Sequence, residues 1–224
     1  MVPFSEQGLR CIAFNRRGHG RSDDPGSGYD IDTLADDLAA LLAQLDLREV
    51  TLVGKSMSSG EIAHYLSRHG TSRIARFALV SPSTPCILQR ADNPEGAPRV
   101  ALEALIAALH KDRPLYFADG GLKYFGLGSK WPTPEDLSSE MVQWAIRLIL
   151  ETSPKALIEC MRTNWETDFR PIVSTKFPRR PLRPFRIFLL QVVSYLRGKL
   201  VGTGRGRRKR PRPYGYEVAS EATS

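Results

Sequence analysis

A parallel α/β sheet carrying a helical insertion is the fold class that these 224 residues predict. Three observations point to it. Short apolar runs alternate with amphipathic helical segments from residue 10 to about 83, the rhythm of parallel strands joined by crossover helices. From about 84 to 168 that rhythm gives way to successive helices, as expected of a cap or lid inserted over a sheet. Within the alternating part, "VTLVGKSMSSGEIAHYL" (50–66) reads as a buried strand running into a helix, with Ser56 at the corner.

The elements follow in order. "RCIAFN" (10–15) is a buried strand, and "RRGHGRSDDPGSG" (16–28) is a loop with several positions tolerant of positive φ. "DTLADDLAALLAQLDL" (32–47) sets Leu34, Leu38, Leu41, Leu42 and Leu45 on one helical face, with Asp32 placed to cap it. "EVTLVG" (49–54) is the next strand, "SSGEIAHYLSRHG" (58–70) a helix stopped by Gly70, and "RFALVSPS" (76–83) a third strand. Helices are expected over 100–112, 135–151 and 154–165, with the stretch 117–134 as a loop between them. The division is therefore a core fragment over 1–83, a helical cap over 84–170 and a basic tail over 171–224.

Charge belongs to the tail. Residues 1–168 hold 18 Lys and Arg against 22 Asp and Glu, whereas residues 169–224 hold 14 against 2, so the net charge of +8 says little about the folded body. Two readings of the tail stand: an Arg/Pro/Gly-rich product of a GC-rich gene read out of frame, or a basic appendage able to neutralise nucleic-acid phosphates. Its apolar run "FLLQVVSYL" (188–196) is open to strand or helix, with no second element placed beside it. No stretch approaches the ~20 apolar residues of a spanning helix, and the opening lacks the layout of a secretory signal. Cys11, Cys86 and Cys160 are odd in number and widely spaced, which suggests free thiols rather than a disulfide framework or a metal site. A cytoplasmic protein without metal or organic cofactor is the expectation; oligomeric state is not legible.

Gly54-Lys55-Ser56-Met57-Ser58 is where the chemistry concentrates. A nucleophile elbow needs small residues on either side of the serine, because strand and helix backbones approach closely there. Gly54 meets that need, and Ser58 meets it less well. The competing reading of "GKS" as the end of a phosphate-binding loop fails, since Glu49 stands where its first glycine must be and Val50–Val53 reads as strand.

The run from Arg10 to Pro85 resembles the α/β-hydrolase superfamily, and within it the cofactor-free (non-haem) haloperoxidase, perhydrolase and aryl-esterase group. The likeness rests on the R-R-G-H-G-R-S loop, the elbow and "YLSRHGTSRIARFALVS" in expected order, and on "NWETDF" (164–169) as the end of the cap. The resemblance implies a partial α/β-hydrolase fold, Ser56 as nucleophile, the backbone N–H of Met57 as one oxyanion donor, and a small ester as substrate. Lys55, Ser58 and Asn15 depart from the group's histidine, glycine and aspartate. The group's first strands and their oxyanion loop have no counterpart before Met1. No Asp and no His occurs after residue 168, so the positions of the triad acid and histidine are unfilled and impaired turnover is expected. His19, His64, His69, His110 and Lys55 are the remaining candidates for a base, and each histidine is expected to be exposed or otherwise satisfied. A catalytically inactive scaffold with a nucleic-acid-binding tail is the alternative.

Overall fold

The computed structural model describes residues 2–124, 138–176 and 187–191. A single helical turn, α1 (Val2–Ser5), leads to β1 (Arg10–Ala13). Then come α2 (Ile31–Gln44), β2 (Val50–Lys55), α3 (Ser58–His69) and β3 (Ile74–Val80), the expected strand–helix alternation. Gly70 ends α3 with φ +73°, a backbone state that glycine adopts without strain.

The cap for α2 is Asp30, two residues earlier than expected. Its carboxylate accepts from the Thr33 N–H at 2.9 Å and the Thr33 hydroxyl at 2.7 Å. Asp32 sits inside the first turn and pairs instead with His64 and Arg68 of α3. Leu34, Leu38 and Leu42 are buried as the periodicity requires, but Leu45 follows the last helical residue and is exposed.

The helices that follow are bounded differently than expected: the first is longer, the second shorter, and the third nearly as predicted. The helix α4 (Arg99–Tyr124) is two helices joined at Asp112, whose extended backbone breaks the ladder two residues before Pro114. Asp112 then accepts from the Leu115 N–H at 2.8 Å, capping the second half. Residues 117–124, read from sequence as loop, are therefore helical, and the rest of that stretch lies outside the described residues. The next helices, α5 (Ser139–Leu150) and α6 (Pro154–Glu166), start with Ser138 and Ser153 as caps, and a short α7 (Arg170–Lys176) follows.

β4 (Ile187–Gln191) enters the sheet from the basic tail. The strand order is β1-β4-β2-β3, all parallel, with β4 paired to β1 from Arg10↔Ile187 and to β2 from Val50↔Ile187. The apolar run left open between strand and helix thus takes strand form over Ile187–Gln191, with β1 and β2 as its neighbours. Residues 197–224, expected to be disordered, lie outside the described residues.

The main core lies between the sheet and the α2–α3 pair. Leu38 and Leu42 of α2, Ile62, Tyr65 and Leu66 of α3, and Val50, Leu52 and Ile74 of the strands are buried together. Both crossovers run in the same direction across the sheet, so right-handed connections place both helices on one face. Ala13 and Ala78 belong to the other face and are exposed. Behind α3, Phe169 is fully buried against Ile31 and Ala63. It fits because Gly60 has no side chain: a Cβ there would stand 2.4 Å from the Phe169 ring.

Candidate functional site

Ser56 sits where the chain turns from β2 into α3, with φ +50°. This left-handed conformation is uncommon for a residue with a side chain and marks local strain. The turn is held through the Ser56 carbonyl, which accepts from the Ser59 N–H at 3.0 Å, the Ser59 hydroxyl at 2.6 Å and the Ser83 N–H at 3.4 Å. Its own N–H donates to the Val80 carbonyl at 3.0 Å, so the end of β3 helps fix the corner. Gly54 permits the close strand–helix approach: a Cβ there would lie 2.6 Å from Ile62 Cδ1 and 2.9 Å from the Ser58 carbonyl oxygen. Ser56 itself is exposed.

Met57 precedes α3 with helical φ and ψ, and its backbone N–H has no acceptor among the described residues. It lies at the positive end of a twelve-residue helix. The two features adjoin, since Met57 directly follows the strained serine.

Ser58 is accommodated despite its extra atoms. It is buried, and its hydroxyl accepts from Arg16 Nη2 at 3.4 Å. Arg16 also forms an ion pair with Glu61, and the two side chains are 4% and 0% exposed. On the far side of the corner, the Ser83 hydroxyl donates to Asn164 Oδ1 at 2.6 Å, tying the loop after β3 to α6. Sequence reasoning did not single out Arg16, Glu61, Ser59, Ser83 or Asn164. Glu61 carried a signal: an acid one position before the buried Ile62, on the apolar side of an amphipathic helix, requires a buried cation.

The candidate bases lie elsewhere. His64 is bonded to Asp32 at 2.7 Å and meets the Phe169 ring edge-on. His69 is bonded to Asp36 at 2.7 Å and stacks on Tyr65. His19 is bonded through Nδ1 to the Arg17 carbonyl at 2.9 Å. Burial, with the nearby Arg16 charge, pulls its pKa down to about 4. His110 is exposed and lines a cavity of about 390 Å³ at the α4 break, together with Leu109, Asp112, Arg113, Pro154 and Leu157, away from the elbow. Among the described residues no histidine is hydrogen-bonded to Ser56. Burial lowers the pKa of the adjacent Lys55 from the usual lysine value. The described residues contain no cluster of three or more His, Cys, Asp or Glu able to hold a metal ion. No helix among them is long and apolar enough to cross a membrane.

Known proteins resemble this chain in sequence and fold. A non-heme haloperoxidase of Rhodococcus erythropolis is 36% identical over 165 residues, covering 73% of this chain and 59% of the relative. A bromoperoxidase from Bacillus anthracis superposes with a TM-score of 0.67 at 32% identity, covering 78% of this chain and 60% of that one. An esterase from Exiguobacterium antarcticum gives 0.65 at 28% identity, with 78% and 59% covered. The chain thus spans about 60% of the length of these relatives. The family model for the alpha/beta hydrolase fold matches residues 1–126, more than half of the chain, and the haloperoxidase-like proteins are among its relatives. On this evidence the chain belongs to the α/β-hydrolase fold family.

Proposed function

We propose that Ser56 is the nucleophile of a slow acyl-transfer reaction on small esters. The observation that carries this reading is the conjunction at the elbow: an exposed serine at φ +50°, followed at once by a backbone N–H without an acceptor at a helix N-terminus. In the step envisaged, Ser56 Oγ bonds to the ester carbonyl carbon and the π electrons move onto the carbonyl oxygen. The Met57 N–H and the α3 dipole stabilise that oxyanion. Collapse expels the alcohol, which takes the serine proton by way of solvent, and water then hydrolyses the acyl-enzyme to the free acid.

Among the described residues no histidine is hydrogen-bonded to Ser56 to take the proton, so acylation relies on the strained turn and the oxyanion donor. Triad enzymes lacking a member keep about 10³–10⁴-fold catalysis over water. A rate of that order on activated esters is what this elbow supports, and deacylation is the slower step. The esterase relative supports the substrate class. The test is a fluorophosphonate probe followed by peptide mapping. Label on Ser56 that vanishes in Ser56→Ala supports the proposal; an unlabelled wild-type chain refutes it.

A further inference from the structure

We infer that the buried Arg16–Glu61 ion pair is a positioning device for the elbow, clamping the first turn of α3 to the loop after β1. The inference rests on the reading of Ser56 as the reactive residue, but its geometry can be tested apart from reactivity.

The pair is costly to bury. Both side chains are almost fully out of water, 4% and 0% exposed. Arg16 Nε is buried without a hydrogen-bond partner among the described residues. Taking two charges out of water costs more than a well-packed apolar pair of the same volume, so stability is a poor reason for the arrangement. Specificity of geometry is a better one. Arg16 reaches two points on one turn of α3: the Ser58 hydroxyl at 3.4 Å and, three residues on, the Glu61 carboxylate. Its own backbone is fixed in turn, because the Arg16 carbonyl accepts from the His19 N–H at 2.9 Å. From the other side, Ser83 donates to the Ser56 carbonyl and is itself held by Asn164. The elbow is therefore gripped between the loops that follow β1 and β3. A residue at φ +50° relaxes unless its surroundings over-determine it, and Arg16 supplies one of those constraints by way of Ser58 and Glu61. Both contacts come from one nitrogen, Nη2, whose two N–H bonds are held in the guanidinium plane.

The test uses the full-length chain and two variants. Single removal of Arg16 or Glu61 strands a buried charge and unfolds too much to be informative. The double variant Arg16→Met/Glu61→Met removes both charges and keeps the volume. Ser58→Ala removes one of the two acceptors by which Arg16 holds α3 and leaves the ion pair intact. Amide hydrogen exchange is followed at Ser59 and Gly60, whose N–H groups donate to the Ser56 and Met57 carbonyls. In the double variant these amides are expected to exchange roughly tenfold faster while those of Leu38 and Leu42 in α2 are unchanged. The fluorophosphonate labelling rate of Ser56 is expected to fall by up to about 100-fold while the melting temperature stays at or above that of the wild type. Ser58→Ala is expected to move both readouts in the same direction by less. Should the double variant fail to fold, Ser58→Ala alone decides. Unchanged exchange at Ser59 and Gly60 in the folded variants overturns the inference, as does faster exchange spread evenly over α2 and α3. If the wild-type chain takes no label, the reading of Ser56 falls, and the exchange rates still decide whether the pair holds the turn.

Discussion

Replacing Gly54 by alanine tests whether the approach of β2 to α3 is as close as the elbow requires. The added Cβ would lie 2.6 Å from Ile62 Cδ1 and 2.9 Å from the Ser58 carbonyl oxygen, both inside normal contact. The first neighbour is a side-chain tip that can rotate; the second is backbone and cannot move without opening the turn. Overpacking of this kind costs about 1–3 kcal/mol. Gly→Ala also removes freedom from the unfolded chain, which gives back about 0.4–1 kcal/mol. Gly54→Ala is therefore expected to lower stability by roughly 1–2 kcal/mol. Ile62→Val removes the Cδ1 atom and costs about 0.5–1.5 kcal/mol alone, but in the Gly54→Ala background it relieves one of the two clashes. A double-mutant cycle in urea should show favourable coupling of at least about 0.5 kcal/mol, and only partial rescue because the Ser58 carbonyl remains in place. Additive effects, or a Gly54→Ala chain as stable as wild type, would refute the close-approach reasoning.

Other expectations follow from single residues. At φ +50°, Ser56→Gly should be more stable than Ser56→Ala by roughly 1 kcal/mol in urea unfolding, since only glycine is unstrained there; equal stabilities would contradict the strain. His19 has a folded pKa of about 4, below the unfolded value near 6.5. The unfolded chain therefore binds more protons between those values, so stability is complete above about pH 6.5 and falls on acidification towards pH 4, by up to about 3 kcal/mol. His19→Asn should flatten that part of the pH–stability curve, and an unaltered slope would show that His19 is not its source. Burial pushes the Cys160 thiol up to about 12, so at neutral pH it should resist thiol reagents while the half-buried Cys11 and Cys86 react. Labelling of Cys160 in the native chain at a rate matching Cys11 would contradict its burial.

What could be read in advance depended on how local the governing physics is. The alternation of strands and helices over residues 10–83 was legible because apolar periodicity is a local signal, and Gly70 marked the end of α3 by its own backbone freedom. The choice of Asp30 over Asp32 as cap was harder. Both acids suit the role, and tertiary pairing of Asp32 with His64 and Arg68 decides it from another helix. Residues 117–124 contain adjacent glycines and read as loop, yet Asp112 caps a second helical start and the chain continues to Tyr124. β4 was beyond local reasoning altogether, because its partners β1 and β2 lie more than 130 residues away in sequence. At the elbow, Ser56 stood out from the strand–turn–helix context, and the role of Met57 came from the family resemblance. Of the residues that hold them, Glu61 alone carried a sequence signal; Arg16, Ser83 and Asn164 did not, because their roles exist only once separate loops meet.

Acylation of Ser56 can be measured directly. The chain is mixed with p-nitrophenyl acetate, quenched at intervals and weighed intact by mass spectrometry, with peptide mapping of any adduct. The expected result is an acetyl adduct on Ser56 that accumulates before it is hydrolysed, with no such adduct in Ser56→Ala. An adduct that maps to another residue, or that forms equally in Ser56→Ala, would contradict the assignment of Ser56 as the nucleophile.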